Sequence, residues 1–285
     1  MSPFVRRILT TSIGTYINTL SWFSPPWGGR VAFRVFSKPR AGRLREVERS
    51  FLQTSPQRDQ LSTIYGTIQS YTWHRENAPR ILLLHGWESN AARWRPLLPL
   101  LLDQGYSVTA IDAPAHGDSE GQLFNMIKYA EAVNVACTKF QPQYIVGLSL
   151  GGATLAYYLA HYPQNNIERI VLMGAPSELD DMMRNFSHML GLSARSYRGI
   201  EQLVRQRFQK DITYFSTEQF CDAIPFPTLV IHDHEDSVIK VEDSKKYHQR
   251  LAQSELFLTR GFGHRLQAQE VYERIMVFLG EGQSL

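Results

Sequence analysis

"YIVGLSLGGATLAYYLAH", residues 144–161, decides the fold. A short apolar run, Tyr144-Ile145-Val146, leads into Gly-Leu-Ser-Leu-Gly, and a helical stretch of small and apolar residues follows at once. A run of this length bounded by glycine reads as a strand buried on both faces. The strand must then turn into a helix within two residues. Only small residues two before and two after the central serine let the backbone bend that sharply, so Gly147 and Gly151 present Ser149 at the top of a sheet, with Gly152-Ala153 allowing close helix packing. A serine hydroxyl is a weak nucleophile unless a base lies within hydrogen-bond reach and donors face the oxyanion it creates. The N-terminal N–H groups of the following helix face such a charge.

A second Gly-x-Ser-x-Gly stands at 117–121, in "HGDSEG", and centres on Ser119. In a chain of this length the pattern arises by chance on the order of once in ten sequences. Ser119 lacks the context: its strand ends near Asp112, no helix of small residues follows, and Asp118 and Glu120 oppose an oxyanion. The reactive serine is expected at 149.

Outward from 144–161 the same rhythm recurs. "RILLLHGW" (80–87), "SVTAIDAP" (107–114), "IERIVLMGAP" (167–176) and "FPTLVIHDHED" (226–236) contain buried strands, and "NAARWRPLLPLLLDQG" (90–105) and "MIKYAEAVNVACTKF" (126–140) read as helices, the first with Asn90 as N-cap and Gly105 as stop. "LSTIYGTIQSYTWH" (61–74) alternates as antiparallel strands do. The fold class is α/β: a mostly parallel wound sheet flanked by helices. The rhythm lapses over about 177–224, where "LDDMMRNFSHMLGL" and "IEQLVRQRF" read as helices without a strand between. Such an insertion late in the sheet is expected as a lid at the strands' carboxyl ends. The expected organisation is a helical arm over 1–58 and one sheet domain over 59–285.

The chain has 285 residues, 43% hydrophobic and 20% charged, enough for one large domain. Its net charge of +3 is unevenly spread: residues 1–58 hold ten Lys/Arg against two acids, leaving twenty against twenty-five beyond. A basic arm beside Trp22, Phe23 and Trp27 suits an anionic membrane surface, and equally a solvated helix packed on the domain. "RRILTTSIGTYINTLSWF" (6–23) is too short and too interrupted by polar residues to span a bilayer, and is read as an uncleaved amphipathic helix. Two cysteines, Cys137 and Cys221, make no disulfide framework and fit a reducing, cytoplasmic compartment. Nothing resembles a nucleic-acid module.

"LLLHGWESN", "IDAPAHGDSEG", "YIVGLSLGGA", "PTLVIHDHEDSVI" and "GFGH", in this order, resemble the α/β-hydrolase superfamily over roughly residues 60–280. The resemblance implies a serine hydrolase with nucleophile, acid and histidine in that order along the chain. His264, on a glycine-rich loop past the last strand, matches the base, whereas His161, His188 and His248 lie on helices. After the strand ending at His232, Asp233, Glu235 and Asp236 are all candidate acids. In similar sequences the acid stands four residues past that histidine, which selects Asp236; Glu178 is in reserve. Asp233 occupies a position usually glycine, which implies an altered loop, and Ala115, also usually glycine, a slightly different backbone path. The resemblance treats Ser119 as scaffold.

The oxyanion hole is expected from the N–H groups of Trp87 and Leu150, with His85 and Gly86 shaping the turn. Met182, Met183 and Phe186 could line an apolar acyl site, though their spacing equally suits a helix packing on its own core. His232, His234 and Asp236 alternate in the manner of zinc ligands on an extended segment, but no second histidine cluster supports a metal. The expected chemistry is cleavage of an ester or thioester of a small-molecule acyl substrate through an acyl-enzyme, with no metal or organic cofactor. Acyl transfer, perhydrolysis and C–C hydrolysis share the machinery, and a ligand-binding protein on the same scaffold is the rival of another class.

Overall fold

Each continuous apolar run forms a short strand. β3 (Arg80–Leu84), β4 (Ser107–Ile111), β5 (Tyr144–Leu148), β6 (Arg169–Met173) and β7 (Thr228–Asp233) are buried except at Arg80 and Arg169. The structure, a computed structural model, describes residues 3–163 and 166–281. Alternate residues of one strand serve opposite sides: Ile81 and Leu83 join one apolar cluster, Leu82 and Leu84 the other. Both faces of the sheet are therefore covered, and each fully buried aliphatic side chain contributes about 1.5–3 kcal/mol of transfer free energy.

The alternating stretch forms a hairpin, β1 (Gln57–Thr63) with β2 (Gly66–Trp73), and β8 (Ser254–Thr259) closes the far edge. The strand order is β1-β2-β4-β3-β5-β6-β7-β8. From β4 to β8 the pairing is parallel, and β2 meets β4 antiparallel. The chain runs from β3 to β4 on one side and returns to β5 on the other, so the winding reverses between β3 and β5. At such a reversal the connections diverge beyond the carboxyl ends of the strands and leave a crevice. The residues that open it are those following Leu84 and Leu148.

Asn90 caps its helix as expected, accepting from the Ala92 N–H at 3.1 Å, but only for a single 3-10 turn, Ala91–Trp94. The expected single helix is divided, and α4 (Leu98–Asp103) starts four residues later. Pro96 and Pro99 lack a donor and crowd the residue before them, which breaks the first stretch. α5 (Met126–Phe140) is capped by Asn125, which accepts from Lys128 N–H at 2.9 Å, and α6 (Leu150–His161) starts directly at Ser149. α9 (Val241–Arg250) and α10 (Gln269–Gly280) complete the β–α alternation.

The chain divides into two compact units at positions other than those expected. The sheet unit holds residues 39–177 and those from 217 on; the helical unit holds residues up to 38 together with 178–216. α3 (Glu46–Leu52), expected as part of the arm, belongs to the sheet unit: Leu52 is in its core, and Arg49 makes a two-pronged pair with Asp118, both contacts 2.9 Å. The 3-10 helix Thr217–Ala223 also joins the sheet unit. The helical unit consists of α1 (Pro3–Phe23), α2 (Pro25–Ser37), α7 (Leu179–Leu190), α8 (Ala194–Phe208) and a 3-10 turn, Ile212–Phe215. α2 buries Gly28, Gly29, Ala32 and Phe33, and the Phe33 ring lies 6.2 Å from that of Phe208 on α8. Among the described residues, no helix is long and apolar enough to cross a membrane.

Candidate active site

Ser149 stands between β5 and α6 with φ 53° and ψ −124°, a conformation that costs a non-glycine residue about 1–3 kcal/mol. The surroundings fix it there. Its N–H donates to Met173 O at 2.7 Å, and its carbonyl accepts from Gly152 and Ala153 N–H at 2.9 and 3.1 Å. A Cβ on Gly151 would lie 2.4 Å from Leu84 O, so only glycine lets α6 approach the end of β3 this closely.

His264 follows β8 in a short 3-10 turn, and Asp236 follows β7. The Ser149 hydroxyl and His264 Nε2 are 3.0 Å apart, and His264 Nδ1 lies 2.7 Å from Asp236 Oδ2. The other carboxylate oxygen of Asp236 accepts from Val238 and Ile239 N–H at 2.7 and 2.9 Å. Burial alone would push this carboxyl up. Hydrogen bonds from His232, His264 and the Ile239 amide outweigh burial and hold it well below the usual carboxylate range. An acceptor fixed in this way keeps the proton of His264 on Nδ1 and leaves Nε2 free to take the serine proton.

The loop after β3 reaches the serine from the other side. A Cβ on Gly86 would lie 2.8 Å from the Ser149 Cβ and 3.3 Å from its Oγ, so the backbone at 86 passes directly against the hydroxyl. Trp87 comes next. Among the described residues, neither the Trp87 nor the Leu150 N–H has a protein acceptor. Two buried imidazoles bracket Trp87. His85 donates from Nδ1 to Gly86 O at 2.7 Å and accepts from Ala113 N–H at 2.9 Å; His116 donates from Nδ1 to Pro114 O at 2.9 Å and accepts from Glu88 N–H at 3.1 Å. Each pattern requires the neutral Nδ1–H form. Burial favours the same form, pushing His85 down to about 3 and His116 to about 4.

Ser119 lies within the scaffold. Its hydroxyl donates to Asp112 O at 2.7 Å and accepts from Gln69 N–H at 2.9 Å, so it is buried and fully used. Asp112 gathers the Ala91 and Asp118 N–H groups and the Tyr71 hydroxyl, while burial pushes its carboxyl up to about 6. Ala115 has φ 67°, in the left-handed region that glycine ordinarily serves; its departure from the usual residue appears as local strain. Burial raises both thiols, Cys137 and Cys221, to about 12, which leaves neither as a nucleophile at neutral pH.

Other sequence candidates lie elsewhere. Glu178 Oε1 accepts from the Ser216 hydroxyl at 2.9 Å within the helical unit, and it is Asp236 that meets His264. Met182, Met183 and Phe186 lie on α7. Met183 and Phe186 are buried, the latter with its ring edge-on to Phe36 at 5.2 Å, and only Met182 keeps partial exposure. Met183 and Phe186 are thus packed within the helical unit. The extended segment imagined for zinc ends at Asp233: His232 is buried against Ser244 at 2.6 Å whereas His234 is exposed. Among the described residues, no three His, Cys, Asp or Glu side chains are grouped to hold a metal.

Asp233, a candidate acid that the resemblance tied to an altered loop, has a different part in the site. Asp233, at the end of β7, accepts from Glu235 N–H at 2.9 Å on its own loop, from the Thr259 hydroxyl at 2.8 Å at the end of β8, and from Phe262 N–H at 3.0 Å on the loop of His264. Its carboxylate thus joins the loop of the acid to the loop of the base. Burial opposes its charge, but these donors prevail and hold it below the usual range. The signal was an acid where the resemblance implies glycine.

The pattern of the alpha/beta hydrolase fold matches residues 79–199. A bifunctional esterase/perhydrolase of Acinetobacter calcoaceticus is 26% identical over 259 residues, covering 73% of this chain and 94% of that protein. A non-heme haloperoxidase of Rhodococcus erythropolis is 27% identical over 213 residues, covering 58% of this chain and 77% of the relative. Among solved structures, the esterase Pf2001 of Pyrococcus furiosus superposes with a TM-score of 0.66 at 20% identity, over 87% of this chain and 98% of that one.

Proposed function

From the premise that the chain is an enzyme of the α/β-hydrolase fold, we propose that it is a serine hydrolase that cleaves carboxylic esters or thioesters through an acyl-enzyme on Ser149. The observation that carries this reading is the unbroken line from Asp236 to His264 to Ser149, at 2.7 and 3.0 Å. As the hydroxyl attacks the carbonyl carbon, its proton passes to His264 Nε2, and Asp236 stabilises the imidazolium. The N–H groups of Trp87 and Leu150 take the oxyanion, as donors that need no reorganisation when charge develops. Collapse of the tetrahedral intermediate transfers the His264 proton to the leaving group. Water, activated by the same imidazole, then releases the acid.

The test is covalent labelling. A fluorophosphonate is expected to add one adduct at Ser149, and Ser149→Ala is expected to lose both the adduct and at least about 10⁴-fold in kcat/KM on p-nitrophenyl esters. Labelling that survives Ser149→Ala would refute the assignment. A second reading is perhydrolysis, in which hydrogen peroxide replaces water as acyl acceptor; the name of the Acinetobacter relative favours it. Peracid formed from an acetate ester and peroxide, measured beside acetate formed in water, separates the two.

A further inference from the structure

The two sides of α1 can be assigned from the helical repeat. Gly14, Ile17 and Ser21 recur at three- and four-residue spacing and are all buried. Polar contacts hold this side in place: Asn18 donates to Gly191 O at 2.9 Å and accepts from Ser193 N–H and the Ser196 hydroxyl, both at 2.8 Å, while Arg195 donates to Ser21 O at 2.7 Å. The side turned to solvent cannot rotate inward without breaking these bonds.

That outward side is not the charged stripe expected where a helix meets water. It presents Phe4, Ile8, Tyr16, Trp22 and Phe23, the last two 75% and 82% exposed, with the hydroxyls of Ser12, Thr15 and Thr19 between them. No residue from Ile8 through Gly29 is charged. Trp27, 63% exposed in the first turn of α2, extends the aromatic surface, and Arg30 and Arg34 follow it at helical spacing, both exposed. The first acidic residue in the sequence is Glu46, so no acid offsets these cations within α1 or α2.

We propose that the outer face of α1, with the first turns of α2, docks on an anionic lipid bilayer. The helix lies in the plane of the surface, its aromatic and aliphatic side chains in the boundary between headgroups and acyl chains, and Arg30 and Arg34 against lipid phosphates. Charge decides the occupant. A second copy would bring two cationic rims together, whereas a negative bilayer meets both the apolar ridge and its rim. The apolar length available suits lying on the membrane, not crossing it.

The experiment is vesicle co-sedimentation with the full chain. Partition onto vesicles with about 30% phosphatidylglycerol is expected to exceed partition onto pure phosphatidylcholine at least tenfold, and to fall several-fold when NaCl rises from about 0.1 to 0.5 M. Phe4→Ser, Trp22→Ser, Phe23→Ser and Trp27→Ser together should cut binding at least tenfold while leaving helix content and turnover of a water-soluble ester unchanged, because all four side chains are exposed. Arg30→Glu and Arg34→Glu together should abolish the preference for the anionic lipid. The proposal is overturned by equal partition of the native chain and the aromatic variant, by no partition at all, or by a lipid-free dimer that the aromatic variant dissolves. The last would assign the face to a second copy.

Discussion

Asp236 shows how a single carboxylate is tuned by its partners. It is held ionised in the folded chain, so it contributes stability that is fully present above the unfolded-state value of about 3.9 and is lost as pH falls through the lower folded value. Asp236→Asn should lower kcat/KM by about 10⁴-fold near neutrality, because the imidazole loses the partner that fixes its tautomer. In urea unfolding, the stability gap between the native chain and this variant should be widest between about pH 5 and 7 and shrink below about pH 4. A gap constant over that range would show that the carboxylate is not depressed. Ser149 and His264 could be read from the sequence because each follows a strand at the end where the sheet opens. Asp236 could not be separated from Asp233 and Glu235 by residue type; the hydrogen bond to His264 separates them.

At the scale of elements, the site depends on loops that leave neighbouring parallel strands and must be held in register. β7 and β8 are paired along their length, and Asp233 extends that pairing beyond the strands by tying Thr259 and Phe262 to Glu235. Glycine at 233 would remove the buried link between the two loops, leaving His264–Asp236, the exposed Arg260–Glu235 pair at 3.6 Å and the His234 N–H on Thr259 O at 2.9 Å. Asp233→Ala should therefore reduce kcat by about 10–100-fold, the loss that misplacement of about 1 Å produces, with KM changed less than about twofold. Asp233→Asn, which keeps one acceptor oxygen, should fall between the native chain and the alanine variant. Equal losses in KM and kcat would point to general damage. The neutral His85 and His116 do the same work for the loop of Trp87; His85 was legible only as a residue shaping the turn and His116 not at all, because their partners lie 28 residues away in sequence.

Over the whole molecule, the chain's first helices and its late insertion group into one compact unit, which strand and helix periodicity could not reveal. Periodicity reports which face of a segment is apolar and is silent on which distant segment covers it. Phe186 illustrates the point, since a side chain spaced for an acyl pocket is packed on Phe36. Phe186→Ala should cost about 3–5 kcal/mol in urea unfolding, the usual loss for a buried phenylalanine, without changing the ratio of kcat/KM between acetate and octanoate esters. A changed ratio at undiminished stability would return Phe186 to the substrate.

The sequence by itself determined the sheet, the strand-to-helix turn at Ser149 and the loop of His264, because a buried parallel strand and a tight glycine-flanked bend each demand particular residues within a few positions. It also marked residues 6–23 as an amphipathic helix too short and too interrupted by polar residues to span a bilayer. Only the tertiary structure decided that Asp233 joins two loops, that Phe186 packs against Phe36, and where the helical unit ends. Each of these depends on groups far apart in the chain, and local spacing does not constrain the distance between them.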